Sequence, residues 1–335
     1  MSSNSSRSLA IGIAAAVLAV AALRLSPRDG GALAASPAPA GIASGPSFDD
    51  AFWKRWGDGK GELAGYDLSF PRYGELRKGE AVTIFVAETF SNSLRVKADP
   101  GKHPKTDEYP VLKLNLVQDF STGIYDYNMM TSTFVALSPV NGRPAGAATK
   151  VSFSAQEWCG NAFAQLLFDT SSARFVSHSY FDQEADQQAA LDLSPDAFVA
   201  DTVLLWARGF AAPALAPGER REVTVVGSLR DARLKHRPVE KGHGSLFRAA
   251  GRSRATVPAG TFDVERRAVE LPNGLTWTID VEAEEPHRII QWQTSEGEKA
   301  ALLASDRLDY WRMHSEADRP ALAKLGLKPR PPRTP

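Results

Sequence analysis

The chain has 335 residues, 43% hydrophobic and 23% charged, an ordinary balance for one large or two modest folded domains after removal of a leader. Lysine plus arginine number 39 and aspartate plus glutamate number 39, so no overall field attracts polyanions, and nucleic acid is not an expected partner. One cysteine, Cys159, excludes an intramolecular disulfide, and the fold must rest on its core.

Residues 9–23 form an uncharged apolar run between Arg7 and Arg24. That length is short for a membrane-spanning helix and fits the apolar region of a secretory signal. Ala32-Leu33-Ala34 and Ala38-Pro39-Ala40 offer small-residue cut sites. Residues 1–34 therefore read as a signal peptide or, uncut, as an anchor, and 35–47 as a flexible linker. The expected location is the periplasm or cell envelope, with membrane association only through the N-terminal segment if it stays uncut. Residues 316–335 are rich in proline and basic side chains and read as a disordered tail.

The body opens with Phe48, Phe52, Trp53 and Trp56 at helical spacing, a short amphipathic helix whose aromatic stripe reads as core packing, with sugar stacking as the alternative. Residues 81–90 are strand-like. Residues 111–137 read as a hairpin about Ser121-Thr122-Gly123, with Leu112, Leu114, Leu116, Gln118 and Phe120 on one face. Residues 150–168 and 174–181 read as a second hairpin across 169–172. Around Cys159 a helix competes, because Ser154 and Glu157 fit a capping box, but the flanking strand pattern favours strand. Ser194-Pro195 starts a helix over 195–208, and Gly209 ends it. Pro213 and Pro217-Gly218 mark an internal boundary.

Six further runs follow, at 221–229, 246–256, 261–271, 275–282, 288–294 and 300–311. The expected fold class is mainly β: curved antiparallel sheets or open barrel-like units, at 48–212 and 219–315, with one well-capped helix between the two halves. Curved sheets of this kind commonly enclose an apolar cavity.

Five segments together carry a resemblance: PRYGELRKGEAV at 71–82, LNLVQDFSTGIYDYNMMTS at 114–132, QEWCGNAF at 156–163, SHSYFDQEAD at 177–186 and LDYWRMH at 308–314. With them the chain resembles an uncharacterised family of exported bacterial proteins over most of residues 50–315. The second half, with VPAGTFDVER at 257–266, is similar to periplasmic domains of unknown function that look like the open β-barrel of the lipoprotein carrier LolA. Members of the first family are often exported or lipid-anchored, but no cysteine near 24–40 could carry a lipid here.

Chemistry-bearing residues concentrate at 154–186. Cys159 and His178 on adjacent strands would form a thiolate–imidazole pair if brought together, but a lone cysteine beside Trp158 is more often an inert apolar filler. Asp182, Glu184 and Asp186 alternate in a loop, as oxygen ligands of a hard cation do. A solvated acidic turn is the simpler reading, since the glycine and glutamate of an EF-hand loop are missing. Tyr125, Tyr127, Asn128 and Trp158 near turns could line a ligand mouth or serve as cross-strand pairs. No histidine spacing suggests zinc, no glycine loop suggests a nucleotide, and no cofactor is implied. The expected function is an exported envelope binding or carrier protein for an apolar or lipid-like ligand. A Cys/His hydrolase or acyltransferase, and a docking partner in an envelope assembly, are the alternatives.

Overall fold

The computed structural model describes residues 45–329, so the apolar run at 9–23 and its cut sites lie outside the described residues. Helix α1 (Asp50–Trp56) leads into β1 (Gly61–Arg72), β2 (Glu75–Ser91), β3 (Glu108–Thr122), β4 (Tyr125–Ala136), β5 (Ala148–Glu157), β6 (Gly160–Phe168), β7 (Ser172–Ser179) and β8 (Gln187–Asp192). A two-residue strand β9 (Phe198–Val199), helix α2 (Val203–Ala207), β10 (Arg220–Val226) and helix α3 (Leu229–Leu234) follow. The chain then runs through β11 (Lys241–Val257), β12 (Gly260–Glu270), β13 (Thr276–Glu282), β14 (Ile289–Thr294) and β15 (Lys299–Leu308).

All of these strands belong to one 15-stranded sheet, ordered β8-β7-β6-β5-β4-β3-β2-β1-β15-β14-β13-β12-β11-β10-β9. Every pairing is antiparallel except β9 with β10. The sheet is not closed, because β8 and β9 end it. The stretches at 48–212 and 219–315 meet in the pairing of β1 with β15, from Gly61↔Leu308 to Ser69↔Lys299. The β1–β2, β3–β4 and β5–β6 turns and the β7–β8 loop therefore share one end of the sheet. Helix α1, the β2–β3 loop and the segment after β15 gather at the other.

The alternation expected in β3 holds residue by residue: Leu112, Leu114, Leu116, Gln118 and Phe120 are buried, while Lys113, Asn115, Val117 and Asp119 are not. Gln118 is tolerated inside because its amide donates to Glu298 at 2.9 Å and its oxygen accepts from Arg230 at 2.9 Å. Around α2 the interior is closely packed. All five residues of α2 are buried, and Trp206 donates its indole N–H to the Pro213 carbonyl at 3.0 Å. The space left between Leu114, Thr131, Leu204 and Trp277 measures about 30 Å³, room for roughly one water. Helix α2 and its flanks thus fill the space beside Leu114 and Trp277, and a cavity of about 130 Å³ remains between Phe70, Arg230, Leu275 and Glu298.

Four local readings are corrected. The helix expected over 195–208 is confined to 203–207, with a 3-10 turn at 200–202, because Phe198 and Val199 pair with Val225 and Val226 and give their backbone to the sheet. The single strand expected at 150–168 is two strands, β5 and β6, joined at Trp158-Cys159, where Glu157 pairs with Gly160. The run expected at 221–229 stops at Val226, and Ser228 caps α3 instead. The tail expected to be disordered from 316 forms a 3-10 segment (Glu316–Leu325) started by a Ser315/Asp318 capping box. It is held because Leu325 and Leu327 bury against Leu63, and Gly326 takes the left-handed conformation at φ 69°.

Candidate functional site

The helix α1 begins where Asp49 accepts the Phe52 N–H at 2.9 Å. Phe48, Phe52 and Trp56 recur every fourth residue and so share one face. That face packs on Phe85 and Phe210, with Trp56 and Phe210 centroids 5.5 Å apart. Trp53 falls off this stripe and stays 38% exposed. Across from it, the chain leaving β15 places Tyr310 and Trp311 edge to face at 5.3 Å. The floor is the end of β2, from Val86 to Thr89, and the returning loop is tied down by the Ala98 N–H to the Thr89 carbonyl at 2.8 Å.

Together these segments bound an open groove of about 480 Å³, within the range of small-molecule sites. Its walls are Trp53, Trp56, Val86, Tyr310 and Trp311, and its polar lining includes Lys60, Glu88 and Lys97. Glu88 is held by Lys113 at 2.6 Å. The Tyr310 phenol is pushed up first by burial and then by Glu88, with Lys97 opposing, so it stays neutral and can donate. The arrangement offers flat aromatic surface and a few polar contacts at an end of the sheet, which suits binding. By contrast, the cavity between β6, β7 and α3 measures about 50 Å³ and admits at most a water or two.

The residues singled out in the sequence lie at the opposite end. Cys159 is exposed in the β5–β6 turn. His178 stands across from Phe163, four residues further along β6 and on the order of 10 Å away at strand rise. Its Nδ1 meets Asp186 at 2.7 Å, so the thiol and the imidazole are not brought together. Asp182 accepts the Gln183 N–H, Glu184 takes Ser179 and His236, and Asp186 takes His178, so the three carboxylates turn to separate partners. Among the described residues no group of three or more such side chains converges to hold a metal. Tyr125 and Trp158 approach to 6.3 Å, whereas Asn128 is exposed. Tyr127 is 1% exposed and stacks on Phe120 at 5.1 Å, with Arg72 donating to its hydroxyl at 3.1 Å.

The groove escaped sequence reasoning because its walls come from three distant segments. The readable signal was the position of Trp53, one place off the 48/52/56 stripe. No family model and no curated protein matches the chain. Among solved structures it is similar to a beta-barrel-like protein of domain of unknown function DUF1849 from Brucella abortus, at 9% identity and a TM-score of 0.43, covering 75% of this chain and 98% of that one. No helix of the described residues is long and apolar enough to cross a membrane.

Proposed function

We propose that the chain is an exported cell-envelope protein that binds an apolar or lipid-like ligand in the groove between α1, the end of β2 and Trp311. The groove of about 480 Å³ walled by four aromatic rings is the observation that carries this reading. The apolar run at 9–23 and the resemblance to LolA-like periplasmic domains support export and lipid-like cargo. The rim groove is far roomier than the spaces of about 30 and 130 Å³ among the core residues, which supports a ligand seat at the rim of the sheet. Native mass spectrometry of the full chain purified from its envelope fraction, with organic extraction, tests this. A stoichiometric lipid-like mass is expected, and it should be lost when Trp53 and Trp311 are both replaced by alanine. A clean apo mass that accepts no added lipid would contradict it.

One observation favours a second reading, a docking partner in an envelope assembly. At the opposite end, Tyr73, Ile124, Trp158 and Tyr180 stand on neighbouring turns, each more than half exposed, at 57%, 83%, 73% and 71%. Recovery of a defined envelope partner that Ile124→Ser and Trp158→Ser both abolish, from a protein that carries no lipid, would favour docking.

A further inference from the structure

The charge of the groove says more about its ligand than its shape does. Lys60 lies between α1 and β1, its backbone fixed by Asp58 and Arg307 while its side chain is exposed. Lys97 is placed by its backbone bridge to Phe90 and is also exposed. Neither ammonium pairs with a described carboxylate. Of the nearby acids, Glu88 holds Lys113 at 2.6 Å and Asp58 holds Arg307 at 2.7 Å, whereas Asp99 is exposed beside the rim and does not line the groove. The groove therefore combines an aromatic wall with two lysines that form no ion pair among the described residues. A neutral ligand would leave both charges to water, and a cationic one would be repelled. Beyond the lysines the polar groups lining the groove are the engaged Glu88, Thr89, the Tyr310 hydroxyl and the indole N–H groups of Trp53, Trp56 and Trp311, so acceptors are few and donors predominate, which favours an anionic group.

Resting on the binding reading above, we propose that the ligand is a single-chain amphiphile with an anionic end, a carboxylate or phosphate, taken up as a monomer. Its charge sits on Lys60 and Lys97, and its apolar chain lies across Trp53 and Trp311. The shared aromatic contact supplies affinity by burial, and the lysines choose the sign of the headgroup.

Calorimetric titration of the delipidated full chain with decanoate, 1-decanol and decyltrimethylammonium, all below micelle formation, tests this. Decanoate should bind roughly tenfold tighter than decanol, with the cation weakest. Lys60→Gln with Lys97→Gln, both at exposed positions, should remove the preference for decanoate over decanol. Equal binding of decanoate and decanol, both lost in the Trp53→Ala/Trp311→Ala protein, would overturn the anionic inference while the groove reading stands. Absence of binding by all three, or binding indifferent to the tryptophans, would overturn both. Lysine-dependent sedimentation with phosphatidylglycerol vesicles, without uptake of decanoate, would place the anion in a bilayer and overturn monomer capture.

Discussion

Arg208 is 5% exposed, yet its guanidinium makes three bonds: to Glu62 at 2.6 Å and to the Pro286 and His287 carbonyls at 2.9 Å each. It also lies over the Phe85 ring at 4.5 Å. Burial alone would raise the Glu62 pKa, but Arg208 and Arg55 outweigh it, and the carboxyl titrates below its usual range. Removing the cation leaves that carboxylate buried with only part of its compensation. Arg208→Met should therefore cost about 3–5 kcal/mol in urea unfolding. A loss below about 1 kcal/mol would mean that the pair is dispensable. Asp201 behaves in the opposite way. Burial pushes its pKa up to about 6 from 3.8, against the bonds it accepts from the Ser228 hydroxyl and the Leu229 N–H. A raised carboxyl favours the folded state when protonated, so its contribution is fully present below about pH 3.8 and falls as pH rises through about 6. The stability difference between wild type and Asp201→Asn should shift toward the variant between pH 4 and pH 6, values that bracket this rise. A difference that does not vary with pH would contradict the shift.

Elements were legible where local pattern decides and hidden where a distant partner does. The six runs expected in the second half correspond to β10–β15, because turn signals bound each one. Strand β1 was missed entirely. Gly61, Gly65 and Pro71 thin its pattern, although Tyr66, Leu68 and Phe70 alternate into the core. The reason for Gly65 appears only in three dimensions: a Cβ there would stand 2.2 Å from the Leu325 carbonyl oxygen. Glycine lets the C-terminal segment lie directly on β1. Gly65→Ala should thus lift residues 316–327 and raise their amide exchange before the sheet opens. Unchanged protection of that segment would show that it is not held there. Gln118 makes the same point inside a strand that was read correctly. Alternation assigned it to the buried face, but Glu298, 180 residues away, is what makes that burial affordable in hydrogen bonds.

Across the whole molecule, the strand missed in the sequence joins its two halves. Because β1 lies between β2 and β15, a piece covering 219–315 alone would expose the β15 edge along its length. Such a piece should fail to give dispersed amide signals, while the full chain should unfold in one transition. A well-folded 219–315 would instead establish an independent half. The same pairing explains the groove: β1 starts and β15 ends side by side, so α1 and Trp311 meet although more than 250 residues separate Trp53 from Trp311. Spacing along the chain carries no trace of that meeting. The hairpin around Cys159, dense in reactive residue types, drew attention to the other end of the sheet.

The most direct measurement is photo-crosslinking of the full chain with a diazirine-bearing alkyl probe, followed by peptide mapping. Labels on the peptides holding Trp53, Lys97 and Trp311 are expected, and they should disappear in the Trp53→Ala/Trp311→Ala protein. Labels confined to the Tyr125 and Trp158 turns, or spread without saturation, would contradict a ligand seat in the groove.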